Sequence, residues 1–161
     1  MNQHIAQLSQ ELGAALIKNR RIVATAESCT GGGVAEAITS ISGSSAYFDR
    51  AFITYSNQAK AQMLGVDPGL IERYGAVSEP VVREMAKGAL ARSGASLSVA
   101  ISGVAGPTGG TEDKPVGTVW FAWAKDEQVE TSLMRFWGDR ESIREQAVLM
   151  ALQGLLARLR N

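Results

Sequence analysis

The sequence is poor in the residues that hydrolytic chemistry most often uses. One histidine, His4, and one cysteine, Cys29, occur in 161 residues. A Ser-His-Asp triad, a Cys-His pair or a histidine zinc site would need His4 to reach the chemistry from the N-terminal segment, where a surface position is the simpler reading. A lone cysteine excludes an internal disulfide and agrees with a reducing compartment. Charge of one sign is also missing: 16 basic residues balance 16 acidic ones. Nothing therefore favours a long nucleic acid or an anionic membrane as partner. No stretch approaches the ~18 apolar residues of a spanning helix, and the N-terminus lacks the basic and apolar regions of a signal peptide. The expectation is a cytoplasmic protein acting on a small molecule, with a lysine, a tyrosine or a carboxylate as its base.

What is present is an alternating pattern. The 45% hydrophobic content suits a single domain over residues 1–161. Ile5, Leu8, Leu12, Ala15 and Leu16 recur at helical spacing and predict a helix over 3–19. Residues 21–26 read as a strand ending in the polar turn SCTGGG, and Val34, Ala37, Ile38 and Ile41 give the next helix its buried stripe. A strand over 51–56 precedes a short helix, NQAKAQMLGV, closed by Gly65, with Pro68 against its continuation. Ser78 as N-cap and Pro80 in the first turn open a helix that stops at Gly94. A strand over 96–103 runs into a second glycine-rich loop, VAGPTGGTEDKP. VGTVWFAWA and VETSLMRFW, joined by KDEQ, predict an antiparallel hairpin, and a helix from Asp139 to Arg158 closes the chain. The order predicts a three-layer α/β/α sandwich on a mixed, mostly parallel sheet of about five strands with one reversed.

In such sheets ligands collect beyond the carboxyl ends of the parallel strands. Three loops are expected to meet there: 27–33, 56–60 and 102–115. Glycines at 31, 32 and 33, and at 103, 106, 109 and 110, would let backbone amides approach an anion or a ring, although simple turn formation is the simpler reading of either loop alone. Neither loop matches a phosphate-binding P-loop or a dinucleotide fingerprint. Arg140 and Arg144, one helical turn apart behind Asp139, stand where a helix dipole disfavours cations, so they either bind a phosphate or serve a surface pair with Glu141.

The stretch GSSAYFDRAFITYSNQAK holds two serines, two tyrosines and a lysine around one apolar run. A serine nucleophile needs a proton acceptor and an oxyanion needs donors. Lys60 could be that acceptor if burial, in part against Phe48 and Phe52, lowered its pKa from about 10.4 toward roughly 7 to 8. From spacing alone, capping serines, a half-buried tyrosine and a solvent-facing lysine are the simpler reading.

The collinear blocks AESCTGG, GSSAYF, YSNQAK, GAVSEPVV, ISGVAGPTGGTEDKPVGTVW and GDR closely resemble the CinA C-terminal domain (PncC) family of nicotinamide mononucleotide amidohydrolases. The resemblance spans essentially the whole chain. It implies hydrolysis of the substrate carboxamide to nicotinate mononucleotide and ammonia in pyridine nucleotide salvage, without metal or cofactor, by a homodimer. It further implies Ser45 as nucleophile, Lys60 as general base and Tyr55 as their helper. Ser28, Thr30, Gly31, Gly32, Ser44 and the loop carrying Gly103, Ala105, Gly106, Gly109 and Gly110 would bind substrate with Arg140; Arg144 is added from helix geometry. A silent nucleotide-binding module, or an amidase for a related nucleotide or riboside, remains the alternative.

Overall fold

The computed structural model describes residues 2–160. Six α-helices surround one five-stranded sheet: α1 (Gln3–Asn19), β1 (Val23–Glu27), α2 (Gly33–Thr39), β2 (Phe48–Ile53), α3 (Asn57–Leu64), α4 (Pro68–Tyr74), α5 (Glu79–Ala91), β3 (Leu97–Gly103), β4 (Thr118–Lys125), β5 (Gln128–Arg135) and α6 (Arg140–Ala157). The strand order is β2-β1-β3-β4-β5. β1 runs parallel to β2 and β3, while β4 is antiparallel to β3 and β5, so β4 alone is reversed, as expected.

Each face of the sheet carries its own apolar layer. On one, Leu12 and Leu16 of α1, Val34 and Ile38 of α2, and Ile143, Leu152 and Leu155 of α6 pack on Val99, Ile101 and Phe121. On the other, Leu64 of α3, Ile71 of α4 and Val81, Val82 and Met85 of α5 pack on Ala26, Ala100 and Ala122. At the centre of the sheet the strands thus present bulky side chains to one face and alanines to the other, which lets α5 lie close to it. Gly88 of α5 extends this close packing to α3. A Cβ there would stand 2.1 Å from the Leu64 carbonyl oxygen, so α5 abuts the end of the helix that carries Lys60.

The boundaries differ most from expectation in three places. β2 begins at Phe48 and ends at Ile53, three residues before the expected end, which leaves Thr54, Tyr55 and Ser56 in the connection to α3. Residues 68–74 form a helix of their own, opened by Pro68 in its first turn and by the Asp67 carboxylate, which accepts from the Gly69 amide. Ser78 stands at the N-cap of α5, but its hydroxyl donates to the Gly75 carbonyl instead of capping the helix, which ends at Ala91 before Gly94. Asp139 does cap α6, accepting from the Ser142 amide at 2.9 Å.

Candidate active site

The site grows out of the end of β1, the strand flanked on both sides by parallel neighbours. All five β1 residues are buried, including the carboxylate of Glu27. A buried anion must be fully hydrogen-bonded, and Glu27 is. Its oxygens accept from the hydroxyls of Thr25 at 3.0 Å and Thr30 at 2.8 Å, and from the amides of Gly32, Val34 and Ala35 at 3.2, 2.9 and 3.0 Å. Those amides are the free donors at the start of α2. The anion that this glycine loop cradles is therefore the protein's own carboxylate. The Thr30 hydroxyl is consumed as well, and the Gly31 amide donates to the Ser28 carbonyl. Thr30, Gly31 and Gly32 shape the loop and do not face the pocket as binding groups.

Ser28, next in the chain, points to the opposite face. Its amide donates to the Ile101 carbonyl, which continues the β1–β3 ladder by one residue. Its hydroxyl lies 3.0 Å from Lys60 Nζ. Lys60 is 1% exposed, and its amine also donates to the carbonyls of Thr54 at 2.9 Å and Tyr55 at 3.3 Å. Three acceptors satisfy a charged ammonium. In a neutral amine two N–H groups keep the carbonyls and the lone pair faces Ser28, whose hydroxyl then donates. Both protonation states fit without rearrangement. Burial pulls the Lys60 pKa down to about 8, with the neighbouring Cys29 a smaller opposing influence. Cys29 is pushed up to about 11, chiefly by burial, and stays a protonated thiol near neutral pH. Phe52 shares the apolar layer of Leu64 on the Lys60 side, whereas Phe48 packs in the opposite layer.

A pocket of about 230 Å³ opens over this pair, with Tyr55, Ala76, Val77, Ser102, Gly103, Ala105 and Arg140 among its walls. Arg140, in the first turn of α6, donates to the Gly106 carbonyl at 2.7 Å and to the Tyr55 hydroxyl at 3.0 Å, drawing the second glycine loop and the β2–α3 connection together at the rim. Two of its five N–H donors are thereby used. Arg144, one turn on, donates to the carbonyls of Cys29 at 3.0 Å and Thr30 at 3.2 Å. It braces the loop from behind and is absent from the walls of the Lys60 pocket. Gly109 and Gly110 lie exposed at the tip of the second loop, away from it.

The expected pairing of Ser45 with Lys60 is not formed. Ser44 and Ser45 sit in a single 3-10 turn before β2, and Lys60 follows its end. The six residues of β2 separate them by roughly 20 Å at ~3.3 Å per residue. Ser45 is exposed at the amino ends of the parallel strands, and the hydroxyl that meets the lysine belongs to Ser28. Two residues that open the expected ligand loops without an assigned role matter here: Glu27, which holds the loop, and Ser102, which lines the pocket. Glu27 was signalled by a carboxylate closing an apolar strand just before a glycine loop and a helix start. Among the described residues no cluster of three or more His, Cys, Asp or Glu side chains is placed to hold a metal, and no helix is long and apolar enough to cross a membrane.

Comparison with known proteins gives a consistent picture. A sequence model of the CinA C-terminal domain matches residues 5–159. The chain is 55% identical over 156 residues to a protein of Escherichia coli K12 named nicotinamide-nucleotide amidohydrolase PncC, covering 96% of this chain and 94% of that one. It is 53% identical over 152 residues to the Pseudomonas putida protein of the same name, covering 94% and 95%. Among solved structures, the competence/damage inducible protein CihA of Agrobacterium tumefaciens superposes with a TM-score of 0.96 at 43% identity, covering 100% of this chain and 98% of that chain.

Proposed function

The chain belongs to the CinA C-terminal domain family, and on that premise we propose that it hydrolyses the carboxamide of nicotinamide mononucleotide to nicotinate mononucleotide and ammonia, as a step of pyridine nucleotide salvage. The observation that carries this reading is the buried Ser28–Lys60 contact of 3.0 Å at the floor of a pocket on the carboxyl ends of the parallel strands. The names of the E. coli and P. putida relatives supply the substrate.

In this reading the Ser28 oxygen attacks the carboxamide carbon while Lys60 takes the hydroxyl proton. The C–N bond of the tetrahedral intermediate then breaks, and the departing nitrogen receives that proton from the Lys60 ammonium and leaves as ammonia. Water attacks the resulting ester; Lys60 accepts its proton and returns it to the Ser28 oxygen as the acid is released. The pyridinium ring draws electrons from the carboxamide and makes its carbon more electrophilic. Arg140, with donors to spare at the rim, is assigned to the phosphate, and its bond to Tyr55 keeps the two rim groups in register. The same reading is of a cytoplasmic enzyme that needs no cofactor and works as a homodimer. Trp137, 88% exposed, is available to such a contact, whereas Trp123 is buried.

The test is an ammonia-release assay on nicotinamide, its riboside, its mononucleotide and the dinucleotide. The reading expects turnover on the mononucleotide above all others. Saturable nucleotide binding with no ammonia from any of the four would identify a silent binding module instead.

A further inference from the structure

Ser102 is the second serine of the pocket, and its setting differs from that of Ser98, the other buried hydroxyl on its strand. Even-numbered residues of β3 face α5: Ser98 donates to the Ala86 carbonyl at 2.8 Å, and Ala100 belongs to the alanine layer. Ser102 faces the same way, is 1% exposed as a residue, and lines the pocket that holds Ser28 and Lys60. Its hydroxyl has no hydrogen-bond partner among the described residues. It is also not sealed off, as the unpartnered hydroxyls of Tyr47 and Thr54 are. A hydroxyl on an otherwise buried strand position, unpaired within the protein and open to a pocket, is placed to bond a ligand there.

The parallel register pairs Glu27 with Ile101, and the Ser28 amide donates to the Ile101 carbonyl. Ser28 and Ser102 therefore stand abreast on adjacent strands, about one strand spacing, ~4.8 Å, apart and on one face. A planar carboxamide whose carbon is attacked by Ser28 has an oxygen on one side and a nitrogen on the other. For Lys60 to return its proton, the nitrogen has to turn toward the α3 and α5 side of the sheet. Ser102 is on that side.

We propose that Ser102 Oγ accepts an N–H from the substrate's carboxamide nitrogen, and so selects primary amides and holds the leaving group within reach of Lys60. This rests on the amidase reading above. An ester of the same acid nucleotide has no N–H at that position and gains nothing from Ser102.

The experiment compares the mononucleotide amide with the methyl ester of its acid counterpart, in wild-type protein, Ser102→Ala and Ser98→Ala. Wild type should release ammonia and methanol. Ser102→Ala should lose about tenfold or more in kcat/KM on the amide, the worth of one hydrogen bond in a dry site, with ester turnover within about twofold. Ser98→Ala removes a buried hydroxyl from the same face of the same strand, and it should lower stability while leaving the amide-to-ester ratio unchanged. Equal loss on both substrates by Ser102→Ala, or no loss on either, overturns the role of Ser102 and leaves the amidase reading standing. Failure of wild type to release ammonia overturns both.

Discussion

Glu27 and Ser28 are neighbours in the chain and serve opposite faces of one sheet. The carboxylate of the first gathers the start of α2, and the hydroxyl of the second meets Lys60 of α3. The alternation of a strand thus sets a rigid anchor directly behind the proposed nucleophile. What binds the loop and what reacts are separated by a single peptide unit.

Replacing Glu27 should therefore loosen both. Glu27→Ala strands two hydroxyls and three amides that now share one carboxylate. Loss of charge-assisted bonds from buried donors costs about 3 kcal/mol. Urea denaturation should show a lower midpoint with an unchanged m-value, and kcat should fall with it.

The Lys60 amine predicts two pH effects. Activity requires the free base, so kcat/KM should rise with pH through an apparent pKa of about 8. Stability should also respond. With a folded pKa of about 8 and an unfolded one near 10.4, the unfolded chain binds the extra proton between those values. Wild type should gain stability relative to Lys60→Met as pH rises across that window, and the difference should be flat below it. Denaturant titrations of both proteins at several pH values measure this.

Arg140→Ala should raise KM for the mononucleotide by about 10- to 100-fold, the worth of a charge-assisted contact to phosphate. KM for the riboside, which has no phosphate, should change less. Equal changes on the two would remove the phosphate assignment.

Gly88→Ala should displace α3, and with it Lys60 in the pocket wall, because the added methyl meets the Leu64 carbonyl oxygen. Overpacking of this kind costs about 1–3 kcal/mol. A lower melting temperature, with a kcat loss from a shifted Lys60, is the expected result.

Much of the fold was legible because its periodicities are clean: the α1 stripe, the all-buried β1, the reversed β4 and the Asp139 cap all follow from spacing and side-chain chemistry. β2 was harder to bound. It is an edge strand whose exposed Asp49 and Arg50 read as turn residues, a common device for protecting an open edge. Lys60 and Arg140 were found through their chemistry and the resemblance. Ser45 came from the serine pair sharing one stretch with Lys60 and from the resemblance, against a topological fact already in the sequence: residues on either side of one strand lie at opposite ends of the sheet. Ser102 carried no local signal, since its meaning comes from standing abreast of Ser28 across a ladder between distant segments.

The most direct measurement is ammonia release from nicotinamide mononucleotide by Ser28→Ala and Ser45→Ala, side by side with wild type. Removal of the hydroxyl at Ser28 should cost about a thousandfold or more in kcat, while Ser45→Ala, exposed at the far end of β2, should stay within about twofold of wild type. An active Ser28→Ala beside a dead Ser45→Ala would contradict the account.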